Sequence, residues 1–186
     1  MKYSYLVLIS LSLLLFVTFS GCSSKPVEQI ELAQKAMDQA KEQHAEEFAQ
    51  ADWKNAQQAW EDAQTLIAKQ KYADAGTLLL RAKSRFEKAR DIARSKREDL
   101  RREIDGMQKT IETRYGSLKT AMAAAKLPPT IKKSLDESCG SIDKAIEKLR
   151  TELGQGEYSQ AKYTAQTTMR QVYEAEKEIE KAGKKR

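Results

Sequence analysis

This sequence predicts an all-α fold of two consecutive antiparallel helical hairpins, four helices in all, the first hairpin long and coiled-coil-like. Three observations carry that expectation. Apolar residues recur at steps of three and four along almost the whole chain. Ala, Lys, Glu, Gln and Arg dominate, whereas Gly (8) and Pro (3) are scarce. The strongest breakers, Pro128-Pro129 and Gly154-Gln155-Gly156, fall between periodic runs rather than inside them.

The first segment, residues 1–21, opens with one charge at Lys2 and continues as an uncharged, Leu-rich run from Tyr5 to Phe19. Such a run is too short for a comfortable membrane span of ~20 residues and has the dimensions of a secretory signal peptide. It ends Phe19-Ser20-Gly21-Cys22, which resembles the lipobox of bacterial lipoproteins. The resemblance implies cleavage before Cys22, a lipid (diacylglyceryl and commonly palmitate) on that residue, and attachment to a membrane. Ser23, rather than Asp, follows the cysteine. By analogy with the enterobacterial sorting rule, this implies the periplasmic face of the outer membrane; a Gram-positive host would place the chain outside its single membrane. Residues 22–27 read as a tether.

Residues 28–127 are expected to form the long hairpin. Ile30, Ala33, Met37 and Ala40 make one stripe, and Trp53, Ala56, Trp60, Ala63 and Ile67 another, with a slip between Phe48 and Trp53. A kink or tight break is expected at the slip, with Asp52 as a cap. Gln70-Lys71-Tyr72 marks the turn. The returning helix carries Tyr72, Ala75, Leu79, Ala82, Phe86 and onward to Met122, and Gly106 and Gly116 weaken it by about 1 kcal/mol each relative to Ala. Pro128-Pro129 stops it, since proline offers no amide hydrogen.

Residues 128–182 are expected to form the second hairpin, its stripes running Ile131 to Leu153 and Tyr158 to Ile179; residues 183–186 are a basic tail. The halves look like copies. A shift of 86 residues lays Tyr72 on Tyr158, Ala75 on Ala161, Phe86 on Val172 and Ala89 on Ala175. Antiparallel pairing across Lys71 would bring Ile30 beside Ile111, with the lipid near a multi-helix base and the Lys71 turn projecting away from the membrane.

AEEFAQADWKNAQQAWEDAQTLI followed by KYADAGTLLLRAKSRFEKARDIA, within Ala45–Ala93, resembles an uncharacterised Ala-rich helical domain of bacterial envelope lipoproteins, one often found ahead of outer-membrane protein A-like domains. That resemblance implies an envelope location and a helical fold, and supplies no activity.

Chemistry is not expected. His44 is the single histidine, and its neighbours Glu42, Glu46 and Glu47 do not make a zinc-ligand pattern. No Ser or Cys has a histidine base within plausible reach, and no glycine-rich phosphate loop is present. Neither a cofactor, a metal nor catalytic residues are expected. Cys139, on the stripe Leu135-Cys139-Ile142, reads as a buried, inert thiol.

The strongest electrostatic feature is the run Arg81–Arg102, with ten Lys/Arg against four Asp/Glu, a net +6. Read alone, it suggests a polyanion contact through Arg85, Arg90, Arg94, Arg97 and Arg101. The opposing stretch 41–62 carries six Asp/Glu against two Lys, a net −4, so internal pairing across the seam is the favoured account. The functional expectation is therefore a lipid-anchored, non-enzymatic adaptor or scaffold with a protein partner or self-association. The alternative is a binding module for peptidoglycan or an anionic glycolipid. Nucleic acid is not an expected partner.

Overall fold

The computed structural model describes residues 24–184, and the lipobox-like stretch, Cys22 and the expected signal segment lie outside them. Among the described residues every regular element is a helix. The order is α1 (Val27–Glu42), α2 (Ala45–Phe48), α3 (Gln50–Ala68), α4 (Tyr72–Ala124), α5 (Pro129–Gln155) and α6 (Tyr158–Lys184). The chain packs as two units, divided inside α4 between Ala93 and Arg94. The all-helical expectation holds, but the count of four does not. The sequence also placed its boundary at Pro128, where one helix stops, whereas the packing divides where the cores change.

In the first unit the expected long helix is broken into α1, α2 and α3. The break starts earlier than the Phe48–Trp53 slip. His44 takes a left-handed conformation (φ 56), and its amide donates to the Lys41 carbonyl at 2.8 Å. Histidine is among the few non-glycine residues enriched in that region. A second step follows at Ala49 (φ −132). No side chain caps α3 there; Asp52 instead pairs with Lys88 at 2.7 Å.

The break lets α1 fold back along α3. Ala33 shares a core with Ala63 and Leu79, with Ile30, Trp60, Ile67 and Leu78 packed around it. Ala36, Ala40, Ala45, Ala49, Trp53, Ala56 and Ala59 meet Ala82, Phe86, Ala89 and Ala93 in a second cluster. The unit is thus three helices deep, not a two-helix arm, and Ile30 packs near the α3–α4 turn rather than beside Ile111. Pro26 is buried, and a Cβ on Gly76 would lie 3.7 Å from its Cβ. Chain entry and the Lys71 turn therefore share one end, the reverse of the expected orientation. Small Ala side chains let these helices pack against α4, and Trp53 stacks near Phe86 (ring centroids 5.1 Å) in that cluster.

The second unit joins the rest of α4 to α5 and α6. Its core holds larger side chains: Ile104, Ile111, Tyr115 and Leu118 from α4, Leu135, Ile142, Ile146 and Leu149 from α5, and Ala161, Ala165, Val172 and Ala175 from α6. Pro128 caps α5 and Pro129 opens it, using the φ that proline fixes and the amide that a first turn does not need. α4 runs through Gly106 and Gly116 without interruption.

The shift of 86 residues reappears as geometry. Lys71 N–H donates to the Leu66 carbonyl and Glu157 N–H to the Glu152 carbonyl, both at 2.9 Å. Gln70 N–H donates to Ile67 and Gly156 N–H to Leu153. Both turns therefore close by the same six-to-one helix-ending motif. Each buried position Ala56, Ala63, Leu79 and Ala82 also has a buried counterpart in Ile142, Leu149, Ala165 and Thr168. The matched positions all lie in the hairpins α3–α4 and α5–α6; α1 and the C-terminal part of α4 do not follow the shift, since buried Ala33 falls on exposed Lys119.

Candidate interaction surface

The five arginines of the basic run divide between the two units: Arg85 and Arg90 lie in the first, Arg94, Arg97 and Arg101 in the second. Arg85 is half-buried on α4 and donates from Nη1 to the Asn55 carbonyl of α3 at 2.9 Å. Arg90 reaches α1, donating to Gln39 Oε1 at 3.1 Å while its Nε holds Asp91 at 2.9 Å. That bond to Asp91 raises the Arg90 pKa further above its ordinary value, so it stays a fixed cation. Arg97 is half-buried, its guanidinium 5.3 Å from the Tyr158 ring centre. Arg101 is exposed and lies 3.9 Å from Asp105, one helical turn away; Arg94 is also exposed.

Internal pairing accounts for part of the run, and in a different manner from the one expected. Lys88–Asp52 is a cross-helix ion pair between the two opposed charge blocks. Arg85 crosses the same seam to a neutral backbone oxygen of α3, whereas Arg90 reaches a neutral side-chain oxygen of α1. Lys83–Glu87 (2.7 Å), Arg101–Asp105 and Arg102–Asp99 are pairs along α4 itself. Arginine side chains lying flat across a helix seam are held by packing and hydrogen bonds, and offer less charge to a ligand than their number implies.

The aromatic residues sort by depth. Phe86 and Trp53 are core, as expected, while Trp60 and Tyr72 are half-buried. Cys139 is half-buried rather than buried, its Sγ 3.5 Å from Met122 Sδ, and its carbonyl accepts the Tyr115 hydroxyl at 2.9 Å. Burial first, and then the Asp143 and Cys139 side chains, raise the Tyr115 pKa well above the usual tyrosine range.

Sequence reasoning missed the exposed face of α6. Tyr163 is 70% and Tyr173 48% exposed, both outside the apolar stripe. Tyr173 lies between two cations, 5.8 Å from the Arg114 guanidinium and 5.4 Å from Lys177 Nζ. Arg114 is itself fixed by a bidentate bond to Glu176, which raises its pKa. Beside this face a cleft of about 640 Å³ opens between α5 and α6, lined by Ser134, Ser138, Arg170, Gln171, Lys177 and Glu178 among others. The only sequence signal for it was tyrosine at polar positions of an otherwise charged helix face.

These groups can position a partner through stacking and hydrogen bonds. Among the described residues no group of three or more His, Cys, Asp or Glu stands ready to hold a metal ion, and His44 is an exposed turn residue. No helix among them is long and apolar enough to cross a membrane. Comparison with protein families, with curated proteins and with solved structures finds no match to this chain.

Proposed function

We propose that the chain is a lipid-anchored, non-enzymatic helical adaptor or scaffold on the periplasmic face of the outer membrane. The observation that carries this reading is the sequence Phe19-Ser20-Gly21-Cys22 at the end of an apolar leader, four residues before Pro26 opens a helical body. Such a leader delivers the body across a membrane, and acyl chains on Cys22 hold it there, at ~0.8 kcal/mol per buried methylene. The adaptor part rests on the exposed α6 face, where Tyr163 and Tyr173 offer rigid aromatic contact area with nearby cations. Aromatic side chains with a fixed arginine beside them are typical anchors of protein interfaces.

Cys22→Ser should abolish palmitate labelling and leave unprocessed precursor or released protein; continued labelling in the outer membrane would refute the anchor. A photocrosslinking residue at Tyr163 in intact cells should capture a discrete protein, either another copy or a second chain. Capture of glycan strands alone would favour a wall-binding module instead.

A further inference from the structure

We propose that the end of the first unit formed by Lys25–Val27 and the α3–α4 turn faces the bilayer, its lysines against anionic phospholipid headgroups. This rests on the reading of Cys22 as the lipid anchor. Pro26 is buried against the first turns of α4, 3.7 Å from where a Cβ on Gly76 would stand. Hydrogen bonds from Val27 N–H to the Lys25 carbonyl (2.8 Å) and from Ile30 N–H to the Pro26 carbonyl (3.1 Å) fix the chain's direction there. Pro26 follows Cys22 by four residue steps. Fully extended they span at most ~14 Å. α3 has 19 residues and is therefore about 28 Å long. Since α1 runs back along α3, an anchor at Cys22 reaches the Lys71 end and falls short of the His44–Ala49 end.

Charge and polarity are arranged in the same sense. Lys25, Lys69 and Lys71 are all exposed at the near end, which also carries the exposed carboxylates Glu28 and Asp74. At the far end carboxylates outnumber cations: Glu42, Glu46, Glu47, Asp52 and Asp91 stand with Lys41 of α1 and with Lys88 and Arg90 of α4, which pair with Asp52 and Asp91. An anionic bilayer surface attracts the first set and repels the second, within about a Debye length. Val27 is 54% exposed at the near end, and Tyr72, half-buried, opens α4 there. Both suit the boundary between headgroups and acyl chains.

The test uses the full-length lipoprotein with Cys139→Ser, reconstituted into phosphatidylethanolamine vesicles containing phosphatidylglycerol. One added cysteine, Ala73→Cys at the near end or Glu46→Cys at the far end, carries a fluorophore, and headgroup spin-labelled lipid quenches it. Strong quenching at position 73 with little at 46 is expected, and equal quenching or the reverse order would overturn the orientation. Omitting phosphatidylglycerol, or reversing Lys25, Lys69 and Lys71 to Glu, should reduce quenching at 73. Quenching indifferent to both would remove the headgroup contact. The Cys139→Ser chain with no added cysteine separates the two readings: it should float with vesicles and take up no thiol label. Labelling at Cys22 would refute the lipid anchor itself, whereas clean flotation with the wrong quenching order refutes only the orientation.

Discussion

Gln70 and Gly156 occupy the same position of two turns, both left-handed, with φ of 58 and 74, and both with an amide bonded to the carbonyl three residues back. Glycine adopts this conformation freely, whereas an L side chain is strained by roughly 1–2 kcal/mol.

The two turns should therefore respond oppositely to substitution. Gly156→Ala should destabilise the chain by about 1 kcal/mol. Its new Cβ also lies only 3.4 Å from Arg97 Nη2. Gln70→Gly should leave stability unchanged or raise it by up to about 1 kcal/mol, because relief of strain outweighs the added freedom of the unfolded chain. Urea denaturation of the two variants decides the matter; two changes of the same sign would mean that the turns are not equivalent.

Among the described residues Phe86 is the largest fully buried side chain, and it stands among alanines. Phe86→Ala should cost about 3–5 kcal/mol, because helices already in close contact cannot collapse further into the space. Ala56→Leu, at a fully buried position of the same cluster, should also destabilise, by about 1–3 kcal/mol through overpacking. An Ala56→Leu chain as stable as the parent would show that the helices stand farther apart than the alanine seam implies.

Tyr115 gives the chain a defined alkaline sensitivity. Its folded pKa lies above its ordinary value of 10.0, through burial first, then hydrogen bonding to Asp143 and Cys139. The folded state thus favours the neutral phenol, and the unfolded chain loses the proton first. The contribution is intact below pH 10.0 and declines as pH rises past it. Measured between pH 8 and 11, the parent should lose more stability than Tyr115→Phe. Parallel curves would show that the phenol ionises in the folded chain without penalty.

Hydrogen exchange should distinguish the two units. The core around Ile142 and Val172 holds branched side chains on all three helices, whereas around Leu79 the buried cluster is two alanines and one leucine. Less buried apolar area makes local opening easier. Amides around Ile142 and Val172 should exchange more slowly than those from Tyr72 to Arg81, and equal protection would argue against that difference.

Much of this architecture was legible in the residues. The stripes Trp53-Ala56-Ala63 and Leu79-Ala82-Phe86 meet across the Lys71 turn because side chains at three- and four-residue spacing share one helix face. The copy relationship was legible too, since a turn needs a left-handed residue followed by a new helix start, and both halves supply one. His44 was not read as a turn. A lone histidine between glutamates carries no apolar signal, and its left-handed backbone is favourable only because α1 gains a surface to fold against. The tyrosines of α6 were passed over because the core stripe does not include them.

By itself the sequence determined the helical class, the turns at Gln70 and Gly156, the stop before Pro128 and the pairing of α3 with α4, for these depend on local periodicity and on breakers at fixed places, but not the break at His44. It also contains Phe19-Ser20-Gly21-Cys22, a lipobox-like stretch whose reading needs no folded context. Tertiary structure alone decided that α1 returns along α3, that the packing changes at Ala93–Arg94 inside a continuous helix, and that Arg85 reaches α3 while Arg90 reaches α1. Those outcomes depend on which apolar faces cover one another. An alanine face and an isoleucine face have the same period, and only their packing distances tell them apart.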